Sequence, residues 1–117
     1  IRNIQDVGRL IAKLLLHEQQ PNYTLPENEA DYTEADKLFV TIMKLAEEGK
    51  INEAENELYV GMVEDDVDYL ELALTFYLYL NDMDGDFLDN NGYSREEVLD
   101  GMKELASEWG VTGLEAF

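Results

Sequence analysis

Four aspartates at close spacing, Asp82, Asp84, Asp86 and Asp89, stand in the stretch Asn81-Asp82-Met83-Asp84-Gly85-Asp86-Phe87-Leu88-Asp89-Asn90-Asn91-Gly92 and are the strongest local candidate for chemistry. Carboxylates in near alternation offer the hard oxygen ligands that Ca²⁺ and Mg²⁺ take. The EF-hand pattern nonetheless fails in each register. With Gly85 as the central glycine, Leu80 falls at the first ligand position and Asn91 at the last. With Gly92 in that role, Phe87 is first and Val98 last, and a start at Asp82 puts Phe87 where the glycine belongs. Asp and Asn are also turn formers. Residues 82–91 therefore read as an acidic interhelical loop, with weak divalent-cation binding as the alternative function of the chain.

Asp68 and Glu71 fall on one face of an otherwise apolar helical stretch. Paired carboxylates can do acid–base work, but on a buried helix they more simply face a groove or bond neighbouring backbone. His17 is the one histidine, and no serine or aspartate spacing around it suggests a triad. There is no cysteine, which removes disulfides, thiolate metal sites and cysteine nucleophiles together. That fits a reducing cytosol, so a cytoplasmic location is expected. Glycine-rich phosphate loops, HExxH and GxSxG are absent. Neither an enzyme activity nor a cofactor is expected. Seven tyrosines remain, and tyrosine is favoured at interfaces because it adds contact area with a polar tip. Tyr59 and Tyr69, with Asp68 and Glu71, are the expected partner-binding residues, whereas Tyr77 and Tyr79 are expected in the core.

The charge narrows the partner. Asp and Glu number 27 against 8 Lys and Arg in 117 residues, a formal charge of −19. Such a surface repels nucleic-acid phosphates and anionic lipid headgroups, so no nucleic acid is expected, and a protein partner, if charged, would be basic. Residues 51–94 hold twelve Asp or Glu and no Lys or Arg. The apolar content of 45% is that of a globular chain, and the length suits one domain. No apolar run reaches the roughly 20 residues of a membrane span. The Leu10–Leu16 run is broken by Lys13 and leads to no small-residue cleavage site, unlike a signal peptide. The chain opens at Ile1 inside an already periodic segment, so residues upstream are expected.

The elements that must carry these residues are helical. Over 1–19, Ile4, Val7, Ile11, Leu14 and Leu15 share one face of an amphipathic helix opposite Arg2, Arg9 and Lys13. That apolar face packs on the body or on a second subunit, which makes a homodimer the alternative. Residues 20–32, with Pro21 and Pro26, form a linker long enough to let the first helix move or swap. Thr33 caps a second helix to Glu48, with Gly49 as its left-handed end. Asn52 caps a third helix to Val63. Val67–Leu80 is apolar almost all round and is expected at the centre of the fold. Ser94 and Glu97 form a capping box for the fifth helix, which turns Val98, Leu99, Met102, Leu105, Ala106 and Trp109 inward and ends at Gly110. Thr112 with Glu115 closes a last short turn. The chain thus reads as one helical domain over 1–117, with residues 110–117 as a tail.

The order Leu38, Leu45, Gly49, Ala54, Leu58 is similar to the two-helix signature of a tetratricopeptide repeat. Leu72 and Tyr79 lie 34 residues after Leu38 and Leu45, the repeat length of that architecture, with about nine residues inserted before Gly92. The pattern departs from the family at Ile42, where a small residue is usual, and at Asp66, where a proline is common. The resemblance covers residues 35–109 and implies an all-α array of five helices. Two stacked hairpins would span 33–109, with the N-terminal helix packed across them. The chain as a whole also resembles a family of small acidic bacterial proteins of unknown function, which implies no activity for any residue. A non-enzymatic protein-interaction or scaffold module is the expected function.

Overall fold

A computed structural model describes residues 3–114, which form six α-helices: α1 (Ile4–Ile11), α2 (Glu34–Glu47), α3 (Ile51–Gly61), α4 (Val67–Asn81), α5 (Gly85–Asn90) and α6 (Arg95–Glu108). No strand occurs among the described residues, and the fold is all-α as its periodicity predicts. No helix among them is long and apolar enough to cross a membrane. A π turn, Ala12–Leu16, extends α1, and a 3₁₀ turn, Glu29–Asp31, interrupts the linker.

The α4 helix is central because it has almost no polar face to show to water. Leu70, Leu72, Ala73, Leu74, Phe76 and Leu80 are fully buried, and each large side chain so placed contributes about 1.5–3 kcal/mol. Around it, α2 packs on one side and pairs with α3, α6 packs on another, and α1 lies over α4 and α6. Close approach is written in small residues. A β-carbon at Gly8 of α1 would sit 2.8 Å from Met102 of α6 and 2.9 Å from Leu78 of α4. A β-carbon at Gly101 of α6 would meet the Tyr77 ring at 2.5 Å.

The α2–α3 turn follows its sequence signals closely, with one exception. Gly49 takes φ +84°, and the Gly49 and Lys50 N–H groups donate back to Ala46 and Leu45 at 3.0 and 2.8 Å. That is the double closure for which glycine is favoured. Ala54 and Leu58 are buried against α2 as their spacing predicts. Asn52, however, is not the cap: α3 starts at Ile51 with no side-chain cap bond. The Asn52 amide donates instead to the Gly92 carbonyl at 3.2 Å, while Gly49 lies so close to Asn91 that a β-carbon would meet its Oδ1 at 2.6 Å. The turn between α2 and α3 is thereby fastened to the turn between α5 and α6. The α3 helix also ends at Gly61, two residues before the expected Val63, because Met62 is already extended.

Three other expectations need correction. The first helix stops at Leu16 rather than 19: His17 enters the left-handed region at φ 58°, and the Ala12 carbonyl accepts from both His17 and Glu18. Residues 82–91 are not a loop throughout. Asp84 accepts from the Asp86 N–H at 2.8 Å and starts α5, and the Asn91 amide donates to the Phe87 carbonyl at 2.7 Å near its end. This short helix makes six elements where five were expected. Finally, the linker is no free tether. Pro21 is buried, the Asn22 N–H donates to Glu71 at 3.1 Å, and the Tyr23 N–H donates to Thr75 Oγ1 at 3.0 Å. The polar stripe of α4 is where this strap crosses it. Arg2, Ile1 and the turn expected from Thr112 to Glu115 fall wholly or partly outside the described residues.

Tyr23 pins the strap to α2 as well. Its hydroxyl donates to Asp36 Oδ1 at 2.5 Å, and its ring lies 4.8 Å from that of Phe39. Asp36 is buried and completes the expected cap at Thr33: its Oδ2 accepts from the Thr33 N–H at 2.8 Å, and Thr33 Oγ1 accepts from the Asp36 N–H at 3.2 Å. The Tyr23 hydroxyl, then the Thr33 N–H, hold the Asp36 carboxyl below its usual range. Its charge therefore adds stability that is whole above the ordinary carboxylate value and fades as pH falls through the folded one.

Two outcomes are expected. Gly101→Ala should lower the denaturant midpoint by an amount equivalent to about 1–3 kcal/mol, the usual cost of overpacking. Tyr23→Phe should cost about 1.5–3 kcal/mol, the value of a hydrogen bond to a charged group, at neutral pH. It should also flatten the acid limb of the stability–pH curve, because the bond that depresses Asp36 is gone.

Candidate functional site

The four expected partner-binding residues do not share a surface. Tyr69 is 8% exposed and belongs to the core, and burial, then nearby carboxylates led by Asp66, raise its phenol pKa. Asp68 and Glu71 line a shallow cleft of about 400 Å³ beside the strap, with Tyr23, Leu25 and Pro26. Burial, then a hydrogen bond with the Glu18 carboxyl, push Glu71 up against the lowering effect of the Asn22 N–H. Tyr59 lies near the C-terminal end of α3 and enters a different groove.

The aspartates of 82–91 are likewise dispersed by α5. Asp82 caps the end of α4, Asp84 spends its carboxylate on the Asp86 N–H, and Asp86 stands in the first turn of α5. All four are exposed. Among the described residues, no three His, Cys, Asp or Glu side chains come together as a group able to hold a metal ion. Arg95 closes this corner, donating from its two terminal nitrogens to the Asn81 and Met83 carbonyls at 2.6 and 2.7 Å. His17 is exposed at the end of the π turn.

A cluster of phenols around Glu55 is the best-ordered polar constellation between the two halves. Tyr77 of α4 donates to Glu55 Oε2 at 2.7 Å, and Tyr93, just before α6, donates to the same oxygen at 3.0 Å. Because Tyr77 has one proton and gives it to Glu55, the 3.2 Å contact between the Tyr59 and Tyr77 hydroxyls has Tyr59 as donor. Tyr77 is in the core as expected, at 1% exposure, whereas Tyr79 is half-buried. Burial, then the Glu55 charge, push the Tyr77 and Tyr93 phenols well above their ordinary value. Gly101 leaves the space into which Tyr77 reaches. These groups bond one another and join α3 to α4 and α6.

Tyr59 also opens onto the principal groove, a cleft of about 750 Å³ between the end of α3, the turn into α4 and the end of α6. Its apolar wall is Tyr59, Met62, Val63 and Trp109; Glu64, Asp65 and Glu108 supply three carboxylates. The turn is shaped by Asp65 at φ 63°, a left-handed position where aspartate is tolerated better than most residues. Asp66 then accepts from the Asp68 N–H at 3.0 Å to start α4. Of its lining, Tyr59 and Val63 are each 46% exposed, and the flanking Val60 and Val67 are 85% and 51% exposed. Burial, then the charges of Glu55, Glu104 and Glu108, raise the Tyr59 phenol.

Of the four expected partner-binding residues, Tyr59 alone lines this groove, and the rest of its wall was not singled out from sequence. Trp109 fits the inward periodicity of α6, yet it is the C-cap, and it turns half-exposed into the groove. Glu64 and Asp65 read as a helix terminator. The available signal was three valines, Val60, Val63 and Val67, bracketing an acidic triplet with no buried face to serve.

An all-helical chain of this pattern matches a described family over residues 1–110, and the chain belongs to it: DUF6483, a family of unknown function. No curated protein and no solved structure matches the chain.

The phenol cluster gives the chain an alkaline limit. Tyr77 and Tyr93 titrate higher when folded than the ordinary value of about 10, so their contribution is whole below that value. It is lost as pH rises above it, where the unfolded chain sheds the protons first. In a double Tyr77→Phe, Tyr93→Phe variant, the fall in stability above about pH 10 should be shallower than in the parent. Chemical denaturation at a series of alkaline pH values measures it.

Proposed function

We propose that this chain is a non-enzymatic protein-interaction module whose partner docks in the groove between the ends of α3 and α6. The groove itself carries the reading: a cleft of about 750 Å³ walled by Tyr59 and Trp109, next to valines that remain exposed. Contiguous apolar exposure with a polar rim marks interaction surfaces, and aromatic residues dominate binding at such surfaces. The polar groups elsewhere that resemble catalytic pairs are engaged structurally: Glu71 holds the strap, and Glu55 holds the phenols.

Affinity capture from a lysate of the source organism tests this reading when run with the parent and with Val60→Ser, Val63→Ser. Both valines are exposed, so the variant should keep its stability within about 0.5 kcal/mol. Proteins retained by the parent and lost from the variant are the expected result. Equal recovery with both, or none with either, would remove the groove as the docking site.

A further inference from the structure

We infer that the groove takes a protein segment bearing an arginine or lysine beside an apolar residue, with the cation held between the Trp109 and Tyr59 side chains and the carboxylates of Glu64, Asp65 and Glu108. This rests on the reading of the groove as a docking site and adds the chemistry of its occupant. Three features converge on a cation. The groove presents three carboxylates and no basic residue. Two aromatic rings line it, and aromatic faces attract guanidinium and ammonium groups. Two helices, α3 and α6, end at it, so the partial negative charges of both C-termini lie there, yet neither helix has a basic residue in its last turn. Helix C-termini favour Lys or Arg at that position, and this chain supplies none.

Several of the chain's own cations are engaged elsewhere. Arg9 pairs with Asp6, Lys37 with Glu34 and Lys50 with Glu48, while Arg95 is spent on two carbonyls at the end of α4. The stretch 51–94, which builds α3 and the turn, contains no Lys or Arg. None of the residues lining the groove is basic, so the complementary cation we infer is one that a partner brings. The apolar neighbour in the segment follows from Met62 and Val63, which form the floor beside the acids. A bare cation would leave them uncovered.

Trp109 is the one tryptophan of the chain, so its fluorescence reports directly on the groove. The experiment titrates the intact chain with a short capped peptide of arginines and leucines, and with counterparts in which glutamine or glutamate replaces every arginine. The arginine peptide should shift Trp109 emission saturably and bind more weakly as salt is raised. Its affinity should fall about tenfold in a Glu64→Gln, Asp65→Asn, Glu108→Gln variant, the sum of three modest surface ion pairs. Asparagine tolerates the left-handed turn at 65. A control with the same charge change placed away from the groove, Glu29→Gln, Glu47→Gln, Glu96→Gln, should weaken binding by less than about twofold. If the glutamine peptide binds as tightly as the arginine one, the cation inference falls while the docking site stands. Equal losses in the two triple variants would reduce the effect to general attraction by a net charge of −19, and also overturn it. Absence of a saturable shift, or sedimentation showing that a second copy of the chain covers Trp109, would overturn it as well.

Discussion

The structure depends on the need to cover α4 on nearly every side. A helix with this much apolar surface cannot stop at one neighbour, and the chain surrounds it with α2, α6 and α1. The narrow polar stripe left over poses the opposite problem, since Glu71 and Thr75 lie where the N-terminal segment must cross. Backbone N–H groups of Asn22 and Tyr23 meet them there. Buried or half-buried polar groups require partners, and without them each costs on the order of 1–3 kcal/mol. The strap is thus as much a consequence of α4 as the helices are.

A second regularity follows from the scarcity of cations. Buried carboxylates are ordinarily satisfied by Arg or Lys, but here phenols take that part. Asp36 accepts from Tyr23, and Glu55 accepts from Tyr77 and Tyr93. A phenol offers a neutral donor on a rigid, largely apolar body, so it satisfies the acid while filling the core. It adds no charge of its own. The net effect is that these carboxylates keep their charge but are solvated by phenol donors in place of water.

How much of this was legible depended on whether the cause was local. Thr33, Gly49, Ser94 and the buried Ala54–Leu58 face were readable because a cap, a left-handed turn and a helical period act within a few residues. The burial of α4 was readable for the same reason. Asn52 misled because its best partner, the Gly92 carbonyl, is far along the chain, and capping rules consider near neighbours alone. The aspartates of 82–91 read as a loop with turn chemistry, and their spacing suggested oxygen ligands only as the alternative. Asp84 in fact serves its own backbone and starts a helix. Of the candidate site, Tyr59 was found and Tyr69 went to the core. Trp109 was hidden by a period that continues one residue past the helix. The groove joins the ends of two helices distant in sequence, so no local pattern announces it.

The strap has a consequence for the order in which the chain assembles. Its bonds join Asn22 and Tyr23 to residues 49 and 52 positions later, and α1 packs on α4 and α6. During synthesis α1 emerges before α4 and α6, with Val7 and Ile11 on an apolar face that these helices do not yet cover. Contacts of this sequence separation form late, since long loops must close before they return any energy. The α2–α3 hairpin, whose contacts are local, can form while α1 waits. A helix made before its neighbours is then docked after them, and until α6 is complete its apolar face is open to capture by other molecules.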